Sequence, residues 1–357
     1  MSAVAPQRGK LLGIQAGRGV AALLVALYHG GRMISLPQYG GSIPLGACFT
    51  FGHAGVDFFF VLSGFIIYFV HHRDIGSPQR LPSYLWRRIT RIYPIYWVVT
   101  FALFGMHLMS PAGGHDLSIG YLVQSLLLVP QDREPLLGVA WTLQHEVLFY
   151  VAFAVAIAGR WLGGILFSGW ILLTIFAILL PIDNDTLIGF FLSPFHLQFV
   201  MGIGAAYAVL RGGVAWPRTL AVAGGLGFLI VGLAEDVGWI PLTGTVGRLL
   251  YGFAAMCLLV GLATAEQRKL VRVGVVGAFT GAASYSLYLV HAIVIGLTAR
   301  VIAMVGGFRY LPDWLALLVV VGAALAAAGL LHRFVEQPML EALQGRAKRT
   351  RPVALTG

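Results

Sequence analysis

The sequence predicts an all-α fold: a polytopic membrane helical bundle of about ten transmembrane helices with both termini cytoplasmic. Three observations carry this. Of 357 residues, 58% are hydrophobic and only 11% charged, where a soluble domain carries about 25% charged residues. The mean hydropathy is +0.84. Apolar runs of about 20 residues recur along the whole length, as a helix must show to cross a hydrocarbon core of about 30 Å. The short alternating strands of a membrane barrel do not occur.

In chain order the spans fall at 14–33, 52–70, 89–109, 139–158, 161–180, 189–210, 219–234, 243–263, 277–303 and 314–332. The first run is long for a secretory signal and lacks a small-residue cleavage pattern. One further apolar run, 117–130, is short for a span and typical of a re-entrant or interfacial piece. Charge decides how to count it. With both termini inside and 117–130 not spanning, 18 of the 24 basic residues lie inside, 5 lie outside or at outer helix ends, and Arg18 lies within the first helix. If 117–130 spanned, everything after it would flip and the inside would keep only about 11 of them. The positive-inside bias therefore favours ten spans. The net charge of +10 then reflects basic cytoplasmic loops, and no nucleic-acid partner is expected.

Residues 1–340 read as one membrane domain, and 341–357 as a basic cytoplasmic tail without fixed structure. The polar stretches 71–83 and 342–357 are too short to fold alone. Cys48 and Cys257 are too few for a disulfide framework, and no cluster has metal-ligand spacing. There is no Walker loop or dinucleotide glycine pattern. No internal repeat supports an inverted-repeat transporter.

A charge at membrane depth costs at least ~2.5–3.5 kcal/mol, so each one is a functional candidate. Arg18 and His29 are 11 residues apart in the first helix, which puts both on one face with an axial offset of about 16 Å. The bland alternative is a snorkelling arginine and a satisfied interior histidine. Asp57 stands near the outer start of the second helix, where a carboxylate also suits the helix dipole. Glu146, in WTLQHEVLFY, falls about 10 Å below the outer end of its helix, where a glutamate has no easy route to water. His291, in SYSLYLVH with Ser284 and Tyr285, falls near the outer third of the ninth helix. By this count His29, Asp57, Glu146 and His291 reach one level, where a histidine beside a carboxylate can act as a general base.

At the inner edge, RRITRIYPIYW places Arg88 and Arg91 three residues apart on one helix face. Ordinary anchoring, with Tyr93, Tyr96 and Trp97 as an aromatic belt, is one reading. The other is phosphate binding by a cradle of Arg18, Arg88 and Arg91, because guanidinium forks match phosphate oxygens. A coenzyme with phosphates there and a long arm toward His29 suits the offset of about 16 Å.

Taken in order, these phrases resemble the integral-membrane acyltransferase family 3, and within it the bacterial exopolysaccharide O-acetyltransferase branch. The resemblance covers about 11–340. It rests on Arg18 and His29, GVDFFFVLSGF at 55–65, Arg88 and Arg91, Trp141 and Glu146 in WTLQHEVLFY, SYSLYLVH, and Glu336 before Pro338 in HRFVEQP. Gln15 stands where many relatives have aspartate, and Val147 where many have a second glutamate; no acid role is assigned at either position.

The resemblance implies a ten-helix enzyme of the bacterial inner membrane. It would move an acyl group, acetyl or similar, from a cytoplasmic acyl-coenzyme A to a hydroxyl of a cell-surface or lipid-linked carbohydrate. Acetyl-CoA or another acyl-CoA would be the donor substrate, with no permanently bound cofactor and no metal. His29, Glu146 and Asp57 would be catalytic. Arg18, Arg88 and Arg91 would bind the coenzyme, and Trp141, Ser63, Tyr285 and His291 would face substrate. The competing class is a membrane transporter of a lipid-linked sugar, since intramembrane His and Glu also serve proton relays.

Overall fold

A computed structural model describes residues 11–45, 48–109, 117–130, 133–180, 186–241, 243–271 and 274–349. These residues are helical, with no strand among them. The helices are α1 (Leu12–Ile34), α2 (Gly55–His71), α3 (Leu81–Met109), α4 (Ile119–Leu127), α5 (Trp141–Ala158), α6 (Arg160–Ile178), α7 (Leu187–Phe191), α8 (Phe195–Leu210), α9 (Pro217–Asp236), α10 (Thr245–Gln267), α11 (Val275–Met304), α12 (Asp313–Leu331) and α13 (Gln337–Arg349). Ten segments are long and apolar enough to cross a membrane, and each overlaps one predicted span. One of them, Leu187–Leu210, is broken into α7 and α8 at Ser193–Pro194, because proline cannot continue the ladder and pushes the residue before it out of the helical region.

The run 117–130 is not a span. Its helix, α4, has 9 residues, about 14 Å of rise. Its last carbonyls are received by side chains from the middle of α3. Tyr96 donates to the Ser125 carbonyl (2.6 Å), Trp97 to Leu126 (2.9 Å) and Tyr93 to Leu127 (3.2 Å). A helix end at membrane depth must find such partners, since lipid offers none. These aromatics therefore do more than mark an interface.

Glycines set how closely the helices approach. A Cβ at Gly64 would lie 2.0 Å from the Phe199 carbonyl oxygen, and one at Gly202 1.9 Å from that of Val61, so α2 and α8 meet backbone to backbone. Likewise a Cβ at Gly281 would lie 2.0 Å from the Gln15 oxygen, locking α11 onto α1. Such small-residue contacts are how helices pack where lipid removes the hydrophobic driving force. The Glu266 carboxylate at the end of α10 caps α1, accepting from the amides of Leu12 (2.5 Å) and Gly13 (2.8 Å), which satisfies two of the orphan donors of a helix start.

At the other end of the chain, α12 passes through a π-turn, His332–Glu336, into α13. The chain is thus helical from Gln337 to Arg349, across the boundary at which the tail was expected to begin.

Candidate functional site

A cavity of about 990 Å³ opens between α1, α2, α3, α5 and α11. Its mouth is lined by Leu11, Val70, Trp86, Arg87 and by Gln344 of α13. Along α1 it follows Leu11, Ile14, Gln15 and Arg18, a single helical face at three- and four-residue spacing. Arg18, Arg88, Arg91, Ser63, Glu146 and Tyr285 all line it. The structure therefore brings together the three arginines, one carboxylate and two of the residues expected to face substrate.

The hydrogen bonds define what each group has free. Among the described residues, neither Arg18 nor Arg91 has a hydrogen-bond or ion-pair partner. Arg18 feels the charges of Arg91, Glu146 and Glu336. Arg88 lies 3.5 Å from Nε2 of His71, whose Nδ1 donates to Asp74 (2.8 Å), and its guanidinium sits over the Tyr150 ring at 5.5 Å. Its Nε is buried without a partner. Donors left open at a water-accessible cavity are an invitation to an anion.

Glu146 is held. It accepts from Ser63 Oγ at 3.0 Å and from the Tyr150 hydroxyl. Tyr150 stands one turn on from Glu146 in α5, so the i,i+4 rule could have found it in the sequence. Tyr285 spends its proton on the Ile92 carbonyl (2.9 Å), joining α11 to α3.

His29 and His291 lie outside this lining. Their rings are in edge contact, with centroids 4.9 Å apart. His29 Nδ1 donates to the Val25 carbonyl (2.9 Å) and His291 Nδ1 to those of Leu287 (3.1 Å) and Tyr288 (2.8 Å). A carbonyl can only accept, so both rings carry their proton on Nδ1 and present an Nε2 lone pair. The His291 Nε2 is buried without a partner.

Asp57 lies elsewhere. It accepts from Gln198 (2.6 Å) and pairs with Arg248 (3.4 Å), fully buried between α2, α8 and α10. Trp141 packs among Phe60, His145 and Phe195, while its neighbour Thr142 reaches the cavity. The four groups counted to one level thus divide into three places. The count assumed that every helix starts at the membrane surface. In fact Gly55, at the head of α2, packs on the Ala21 carbonyl, well inside α1.

Two further polar sets line up beside these: one around Glu336, which the sequence marked only within the closing phrase HRFVEQP and gave no role, and one around Tyr288, which it did not single out. Glu336, within the π-turn, accepts from Ser286 (2.6 Å) and from His332 Nδ1 (2.9 Å). Tyr288 donates to the Val139 carbonyl and accepts from Thr142.

A family model for an acyltransferase domain matches residues 11–333. The chain belongs to this acyltransferase family. The membrane acyltransferase is 30% identical over 313 residues to the exopolysaccharide production protein ExoZ of Rhizobium meliloti (strain 1021), covering 84% of this chain and 93% of that one. It is also 30% identical over 345 residues to the acyltransferase MdmB of Streptomyces mycarofaciens, covering 85% and 84%. No solved structure matches it. The acyltransferase match takes in the histidine pair and every cavity-lining residue except Gln344.

Proposed function

We propose that this acyltransferase is an O-acetyltransferase of the bacterial inner membrane. It would take the acyl group from acetyl-CoA, or a similar acyl-CoA, on the cytoplasmic side and pass it to a hydroxyl of a cell-surface or lipid-linked carbohydrate. The observation that carries the reading is the cavity of about 990 Å³ with Arg18 and Arg91, unpaired among the described residues, in its wall and Arg88 beside them. Coenzyme A is a polyphosphate on a long flexible arm, and three guanidinium groups in the wall of one deep cavity suit such a donor. The likeness to ExoZ, an exopolysaccharide production protein, supports a carbohydrate acceptor.

The chemistry assigns His29 the base. Its Nε2 takes the proton from the acceptor hydroxyl as the oxygen attacks the thioester carbonyl carbon. The tetrahedral intermediate then expels the sulfur, the carbon–sulfur bond breaks, and the imidazolium returns the proton to the leaving thiolate. The net reaction is alcohol plus thioester giving ester plus free coenzyme A thiol. The His291 ring packs edge-on against His29 and holds the base in place. Glu146, bonded to Ser63 and Tyr150, sets its carboxyl group in the same cavity wall as Arg18 and Arg91.

The test is transfer of radiolabelled acetyl from acetyl-CoA in membranes carrying wild type or His29→Ala, with surface polysaccharide or its lipid-linked precursor as acceptor. Label should reach carbohydrate with wild type and fall by at least about 10²-fold in the variant, the scale of a lost general base. Equal label in both would remove His29 from the chemistry.

A further inference from the structure

The cavity has a closed end, and what closes it bears on which acyl groups fit. Its α1 face stops at Arg18, three helical turns short of His29. The far wall is made of Val56, Phe59, Thr142 and Tyr288. The Phe59 and Tyr288 ring centroids are 6.2 Å apart. From Tyr288 to His291 is 6.0 Å, and from His291 to His29 4.9 Å. The partition between the cavity and the histidine pair is therefore one aromatic side chain thick.

The two rings differ in freedom. The Tyr288 hydroxyl donates to Val139 and accepts from Thr142, so turning the ring breaks two bonds. Its only proton is spent, which leaves none for a developing oxyanion; Tyr288 is a wall and not a donor. Phe59 is half-buried, lining the cavity and packing against the cores that α1 shares with α2, α8 and α10 and with α11 and α12, and no hydrogen bond fixes it.

We propose that Phe59 and Tyr288 act as a stop that limits the transferred acyl group to a short chain, with Phe59 the main determinant. The inference rests on the acyl-transfer reading above. A hydroxyl activated by His29 can reach the thioester only if the carbonyl carbon sits at the partition. Whatever extends beyond that carbon then meets the two rings. A methyl group fits against them; each further methylene has to displace an aromatic ring from a packed wall.

The experiment measures coenzyme A thiol release and ester formation in membranes from acetyl-, butyryl- and hexanoyl-CoA, using wild type, Phe59→Leu and Phe59→Ala. Wild type should prefer acetyl. Phe59→Ala should raise the butyryl-to-acetyl ratio of kcat/KM by at least about tenfold, the range one or two methylenes command in an apolar pocket. Phe59→Leu should fall between, and it keeps the test alive if the alanine variant does not accumulate. Active variants with an unchanged ratio, or a wild type that already uses hexanoyl-CoA as well as acetyl-CoA, would overturn the stop. Release from no thioester at all by wild type would instead overturn acyl transfer itself.

Discussion

At the residue scale the decisive contrast is between arginines that are paired and arginines that are not. Arg248 meets Asp57, and Arg268 donates to the carbonyls of Gly212 and Ala215. These tie α10 to α2 and to the turn after α8. Arg18 and Arg91 have no partner among the described residues and face the cavity. A charged hydrogen bond to phosphate contributes about 1.5–3 kcal/mol. Arg91→Ala should accordingly raise KM for acetyl-CoA by roughly 10- to 100-fold and leave kcat much less affected, because a phosphate contact is made equally in ground and transition states. Arg248→Ala should show the opposite pattern, with lost expression or thermal stability and no selective effect on KM, since it strands the buried Asp57 charge. Steady-state kinetics on both variants separates the two. Sequence spacing was enough to place Arg18, Arg88 and Arg91 on one inner face. It was not enough to separate Asp57 from His29, because residue type and helical rise say nothing of which neighbouring helix presents the counter-ion.

At the element scale the α2–α8 contact is the tightest test of the fold. Gly202 abuts the Val61 carbonyl, and its neighbour on the same helix, Gly204, faces open space. Gly202→Ala should therefore lower the midpoint of thermal unfolding in detergent by several degrees or abolish accumulation, the cost of overpacking being about 1–3 kcal/mol or more. Gly204→Ala should be neutral. If both variants unfold at the wild-type temperature, the backbones do not approach as described. The loss would also reach the site, since α2 carries Ser63 and Phe59 into the cavity. The spans themselves were legible because a hydrocarbon core imposes one length and one composition on every helix. The break at Ser193–Pro194 could be read from proline alone. The π-turn at His332–Glu336 and the deep start of α2 carry no comparable local signal. They come from packing, which one sequence does not display.

At the scale of the whole molecule the question is which end of the bundle faces the cytoplasm. The loop 72–80, the turn at Gly159, the loop after Leu210 and the start of α1 lie at the end where the cavity opens. The segment between α1 and α2, which carries the exposed Cys48, lies at the other. On the proposed reading, the bias of 18 basic residues against 5 would put the mouth inside, on the side of the cytoplasmic coenzyme A donor. Cys48 is a native reporter of the far side. In a Cys257→Ala background, a membrane-impermeant maleimide should label Cys48 in intact spheroplasts. In a Cys48→Ser, Cys257→Ala background, Gln79→Cys should be labelled only after the membrane is opened. The reverse pattern would turn the arginines outward, away from any coenzyme A, and the cavity would then need a different anion. With the expected pattern, the arginine-lined mouth opens to the side that holds the proposed coenzyme A donor, and the thin aromatic partition with the histidine pair behind it lies deeper in the bundle, at the inner end of the cavity.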